Sequence, residues 1–186
     1  MEELFDICTI DRKSLGITRE RGSKLLESEY HVVVMAIMVN RDGKILLTKR
    51  SINKTAAGKW ECTAGSVIAG ENSKDAMIRE VFEEIGIIAK IEYEDPVSYY
   101  FEDDAIFDIW KIEINNSLED LKLQKEEVDE AKFATISEIE EIIKSGNATR
   151  SLAEVIRLYK SGKIKAKYSI REDGEQSLQP DSAIVT

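Results

Sequence analysis

The chain has 186 residues, 42% of them hydrophobic, a size and composition suited to one domain with a buried core and short terminal additions. No run approaches the ~18 apolar residues of a membrane span, and two cysteines make neither a disulfide framework nor a zinc site, so Cys8 and Cys62 are expected as reduced residues in or near the core. A formal net charge of −10 argues against nucleic-acid binding, which needs clustered Lys and Arg, and admits a polyanionic substrate only where cations bridge the repulsion.

The opening MEELFDICTI starts with acids and lacks the basic-then-apolar order of an export signal, so a cytoplasmic location is expected. Residues 4–10 read as a strand, followed by a polar stretch to Glu29. Two β-rich runs, 31–39 and 44–49, are joined by Asn40-Arg41-Asp42-Gly43, good hairpin chemistry. Residues 51–71 are loop-like, with Gly58, Gly65 and Gly70. A helix is expected over 73–85, capped by Asn72 or Ser73 and stopped at Gly86, with Met77, Val81 and Ile85 forming an apolar stripe for a sheet. Further strands are expected over 87–93 and 97–113, the latter folded back near Asp103-Asp104, and over 131–134. Helices follow over 137–144 and 150–160, then an edge strand over 163–170 and a flexible end over 171–186. Strands and helices interleave without the regular alternation of a doubly wound sheet, so a mixed-sheet α/β or, more narrowly, α+β sandwich is expected. Three segments are anticipated: an N-terminal extension over 1–30 packed on the domain, a central domain over 31–165, and a partly flexible tail over 166–186.

The chemistry concentrates between residues 65 and 87, GSVIAGENSKDAMIREVFEEIGI. On a helix, Glu80, Glu83 and Glu84 lie at i, i+3 and i+4 and project from one face, where like charges repel. A hard divalent cation such as Mg²⁺ offsets that repulsion by taking carboxylate oxygens. Arg79, four residues before Glu83, is placed to orient it.

This segment resembles the Nudix box, G-x5-E-x7-R-E-U-x-E-E-x-G-U with U aliphatic, at every fixed position: Gly65, Glu71, Arg79, Glu80, Val81, Glu83, Glu84, Gly86 and Ile87. Seven of these are specific residue types, so a chance match at one starting point is on the order of one in 10⁸ at average residue usage. The resemblance implies a Nudix fold, a mixed β-sheet sandwiched between helices, and a hydrolase that cleaves a diphosphate linkage with Mg²⁺, Mn²⁺ being an alternative. It implies Glu80, Glu83, Glu84 and the Gly65 carbonyl as metal ligands, with Arg79 and Glu71 supporting the geometry. The general base is left open between Glu83 and a downstream acid such as Glu127.

The likeness runs over roughly residues 1–145 and is similar to Nudix proteins related to type I isopentenyl-diphosphate isomerase, which sets an isomerase beside the hydrolase. The isomerase pattern needs a cysteine directly before the box glycine and a histidine after it; here those positions are Ala64 and Ser66, with Cys62 two residues early. The only histidine, His31, matches a ligand position of the isomerase, but its partner histidine is replaced by Lys24, and a carboxylate is lost at Ala105. A third alternative is a catalytically weak binding protein on the same fold. Arg50 and Lys54 align with residues that grip the diphosphate. Trp60, Tyr99, Tyr100, Phe101 and Trp110 are candidates for stacking on a base or for core packing. The expected partner is a small-molecule diphosphate, without membrane or nucleic acid, and the resemblance makes a homodimer a possibility.

Overall fold

The computed structural model describes residues 3–164. An antiparallel pair, β1 (Leu4–Cys8) and β2 (Ser14–Glu20), precedes the main sheet. That sheet is built from β3 (His31–Val39), β4 (Ile45–Arg50), the short β5 (Trp60–Glu61) and β6 (Ala64–Ser66), then β7 (Ser98–Glu102), β8 (Ala105–Glu113) and β9 (Val128–Ala134). The helices are α1 (Ser73–Ile85), α2 (Ile136–Lys144) and α3 (Arg150–Lys160).

β3 is the hub. It runs parallel to β8 along its whole length, pairs antiparallel with β6 through Val34↔Gly65, and joins β4 at the hairpin end through Val39↔Ile45. β4 in turn pairs antiparallel with β5 and β9, and β7 closes the other edge against β8. The sheet is therefore mixed.

Alternation along β3 makes two cores. Val34, Ala36 and Met38 face α1 with Met77, Val81, Ile85 and Trp110. Met35 and Ile37 face α2 and α3 with Ile139, Leu152, Val155 and Leu158. A strand buried on both faces reads as a continuous apolar run, which is what VVVMAIMV is. The sheet is thus sandwiched between helices, as the sequence implied.

Local chemistry sets the ends of α1. The Asn72 side chain accepts from the Asp75 N–H, so Asn72 rather than Ser73 is the cap. Gly86 takes the left-handed conformation at φ 72°, and its N–H reaches the Phe82 carbonyl at 2.9 Å. The β7–β8 turn also falls as expected, with Asp103 at φ 54°.

Four expectations need correcting, the first being the loop-like stretch 51–71, which contains the short strands β5 and β6. No strand forms over 87–93: both edges of β8 are already taken by β3 and β7, so this segment packs by side chains instead. Ala89 and Ile91 are buried there, and Tyr93 stacks on Trp110 with centroids 5.4 Å apart. The polar stretch before Glu29 contains β2, hidden from pattern reading because nearly every residue in it is exposed. The strand foreseen over 131–134 starts at Val128, pairing back to Arg50 across a bulge. Most of the edge strand expected over 163–170, and the tail after it, lie outside the described residues; Ile164 is buried in the core facing α2 and α3.

A Cβ at Gly86 would meet Lys122 Cβ at 2.7 Å in a backbone conformation that side chains resist. Gly86→Ala is therefore expected to lower unfolding free energy by about 1 kcal/mol or more, read as a lower urea midpoint; an unchanged midpoint would contradict the cap assignment.

Candidate active site

The box folds as β6, a loop, and α1. Gly65 lies in a register row that crosses β3 at Val34 and passes through Asp108 of β8 to Tyr99 of β7. A Cβ on Gly65 would lie 1.9 Å from the Glu80 carboxyl carbon, so the carboxylate occupies the space a side chain would fill. Glycine is demanded here by proximity.

Around that point the acids differ. The Glu80 side chain is 13% exposed, Glu84 is buried, and Glu83 stands 49% exposed. Arg79 serves three of the box acids at once. Its Nε and Nη2 donate to the two Glu71 oxygens at 2.9 Å each, and Nη1 donates to Glu80 at 2.6 Å and Glu83 at 3.0 Å. Nη2 also reaches the Ser66 carbonyl at 3.0 Å, tying the loop to the helix. These pairs, Glu71 foremost, hold the guanidinium pKa above its ordinary value.

Glu84 has no such partner. Burial pushes its pKa well above the carboxylate range, Glu61 and Glu80 push it further, and groups of Thr63 and Ala64 pull weakly the other way. Its Oε2 is buried without a hydrogen-bond partner, an expensive arrangement for a polar atom. Burial also raises Glu80, against Arg79.

Glu61 is the residue that sequence reasoning missed. It is buried and acts electrostatically on Glu84, and Arg50 Nη1 donates to both its oxygens at 2.7 and 2.9 Å. Burial raises its pKa despite Arg50. The available signal was an acid flanked by two apolar residues, Trp60 and Cys62. Arg50 also donates from Nε to the Thr55 carbonyl at 2.6 Å, and Lys54 is ion-paired with Glu127. The two cations expected to face a diphosphate are thus brought close to the acids, but each is engaged by a carboxylate. Glu127 in turn acts electrostatically on Glu61, so the candidate residues form one continuous cluster from Glu83 to Glu127.

Among the described residues, no three acidic, histidine or cysteine side chains stand ready as a coordination set. Arg79 draws Glu80 and Glu83 to itself while Glu84 lies buried beside them. The donors nevertheless fit a hard divalent cation: among the described residues Glu61, Glu71, Glu80 and Glu83 are ion-paired only with Arg50 and Arg79, Lys54 adds a weaker attraction on Glu61, and an orphaned Glu84 oxygen lies among them.

The residues bearing on an isomerase are placed differently. Cys62 is fully buried, and burial pushes its thiol up to about 12, so it exchanges no proton near neutrality. The His31 ring stacks on Phe5, centroids 5.0 Å apart, and burial lowers its pKa, which keeps it a neutral packing group. Trp60, Tyr100 and Trp110 are core residues, while Tyr99 and Phe101 are partly exposed and pack edge-to-face on each other.

Residues 29–159 match the family described as NUDIX domain. This chain belongs to the NUDIX family. A Nudix hydrolase of Listeria monocytogenes is 39% identical to it over 149 residues, 78% of this chain and 87% of that protein. The CTP pyrophosphohydrolase of Escherichia coli is 42% identical over 60 residues, 32% of this chain and 44% of its own. The crystal structure of a MutT protein from Methanosarcina mazei superposes with a TM-score of 0.62 at 25% identity, covering 76% of this chain and all of that one. A Deinococcus radiodurans crystal structure, at 19% identity and a TM-score of 0.71, covers 83% of this chain and 98% of its own and shows the same fold. As a NUDIX hydrolase, the protein acts on pyrophosphate bonds. No described helix is long and apolar enough to cross a membrane.

The raised pKa of Glu84 makes a stability statement. A carboxyl whose folded pKa exceeds its unfolded value costs stability above both values and nothing below both. The ion-free protein should therefore gain stability as pH falls through the folded pKa of Glu84. Glu84→Gln should raise Tm at pH 8 by about 2–4 °C, the shift given by about 1 kcal/mol in a chain of this size, and flatten the pH dependence. A lower Tm at pH 8 would refute the account.

Proposed function

We propose that this NUDIX hydrolase cleaves the diphosphate linkage of a nucleoside diphosphate derivative or related metabolite with Mg²⁺, for which Mn²⁺ can substitute. The observation that carries the reading is the buried, unpartnered Glu84 oxygen inside an acidic cluster with too little positive charge of its own. Glu80, Glu83, Glu84 and the Gly65 carbonyl are assigned as the ligands. The ion supplies charge neutralisation of the phosphate oxygens and a lowered pKa for the attacking water.

The chain's own residues do the rest. Arg79 holds Glu80 and Glu83 on the same side of the helix and, through Glu71, fixes the loop against which the substrate lies. Arg50 and Lys54 stand behind the acids as the cations that meet the diphosphate, Arg50 offering a planar fork and Lys54 a point charge. A diphosphate drawing on them must compete with Glu61 and Glu127, which favours substrates bearing several phosphate charges. Glu83 and Glu127 are exposed enough to take the proton of the attacking water. Glu127→Gln losing rate with Mn²⁺ binding intact would assign the base to Glu127; an unchanged rate would leave the role with Glu83.

A panel of nucleoside di- and triphosphates and nucleotide conjugates, with product identification, tests the class of substrate. Turnover should vanish on chelation and return with Mg²⁺. Glu84→Gln and Glu80→Gln should each lower kcat/KM by on the order of 10³, about 4 kcal/mol of lost transition-state stabilisation. Wild-type rates in both variants would end the metal assignment. Isopentenyl diphosphate should remain unisomerised, as Ala64, Ser66 and the buried Cys62 require; appearance of the dimethylallyl isomer would reverse that.

A further inference from the structure

The family match begins at residue 29, yet the hairpin β1–β2 before it is fastened to the loop and first turn of the box helix at three points. The Leu4 carbonyl accepts from the Ala69 N–H at 2.8 Å. The Asp6 carboxylate accepts from the Gly70 N–H at 2.7 Å. Arg12, at the hairpin tip, is ion-paired with Asp108, which is fully buried and accepts from the Ser73 hydroxyl at 2.6 Å. Trp110 Nε1 donates to that same hydroxyl at 3.2 Å, and the Arg12 guanidinium lies 4.9 Å over the Tyr99 ring.

These contacts converge on the catalytic acids. Ala69 and Gly70 immediately precede Glu71, whose two oxygens hold Arg79, and Arg79 holds Glu80 and Glu83. Ser73 opens α1 with its hydroxyl on Asp108, which shares a register row with Gly65, where Glu80 sits. Loop and helix start are thus pinned from outside the family domain. An unfastened loop would let Glu71 move, and Arg79 with it. The spacing of the acids depends on this frame.

We propose that the N-terminal hairpin is a positioning element of the active site, with Asp6 and Arg12 setting the geometry of the 69–73 segment and, through Glu71 and Arg79, the geometry of the acidic cluster. The inference rests on the function proposed above only for what the acids bind; the fastening itself is independent of it.

Amide hydrogen exchange of the ion-free full chain separates the two. Asp6→Ala should speed exchange of the 68–73 segment by about three- to tenfold, the effect of losing one net hydrogen bond, with α3 unchanged. Asp6→Asn keeps an acceptor oxygen and should restore slow exchange. Arg12→Met should loosen the same segment from its other end. Mn²⁺ affinity, followed by electron paramagnetic resonance without substrate, should fall with Asp6→Ala and recover with Asp6→Asn. Wild-type exchange over 68–73 in Asp6→Ala, an Asn variant no better than Ala, or uniformly faster exchange across the chain would overturn the proposal. If the wild type failed to bind Mn²⁺ while the exchange pattern held, the metal reading would fall and the positioning role would stand.

Discussion

Three glutamates on one helical turn, Glu80 pressed against Gly65 and Glu84 buried, impose the constraint around which this molecule is arranged. Like charges at that spacing weaken a helix by themselves, and burial makes the cost steeper because desolvation disfavours the ionised form. The fold answers in part with Arg79, whose guanidinium spans Glu71, Glu80 and Glu83, and with Arg50 on Glu61. Glu84 is left unanswered. A protein selected only for stability would replace such a buried acid with an apolar residue of similar volume. Its presence in a cluster of perturbed carboxylates is the physical signature of a working site.

The sheet makes this arrangement affordable in stability. β3 is buried on both faces and bordered along its length by β8, with β6 on its other side over the three residues that matter. Gly65 therefore sits on a rigid strand end instead of a mobile loop. α1 is docked on that strand by Met77, Val81 and Ile85, so its acidic face has one orientation relative to the glycine. Precision of this kind comes from packing; the polar network then refines it.

Much of this was written locally in the sequence. The apolar run of β3, the 3.6-residue stripe of α1, its Asn72 and Gly86 ends and the Asp103 turn are short-range signals, and each appears where its chemistry says it should. The box named Arg79 and the glutamates, and the structure brings Glu71, Glu80 and Glu83 together on that arginine. What could not be read was long-range. Glu61 looks like any loop acid until β5 is placed beside β4 and its partner proves to be Arg50, eleven residues away. The 87–93 segment has a strand's composition but no ladder edge to join, a fact decided by β7 and β3. Asp108 gives no hint along the chain that it will meet Arg12 across ninety-six positions.

Arg79 has one more consequence, for how the protein comes into being. Small zinc domains stay unfolded until their metal arrives, because nothing else offsets the ligands' charges. Here the guanidinium of Arg79 already lies among Glu71, Glu80 and Glu83, so the charge of these three acids is offset from within the chain itself.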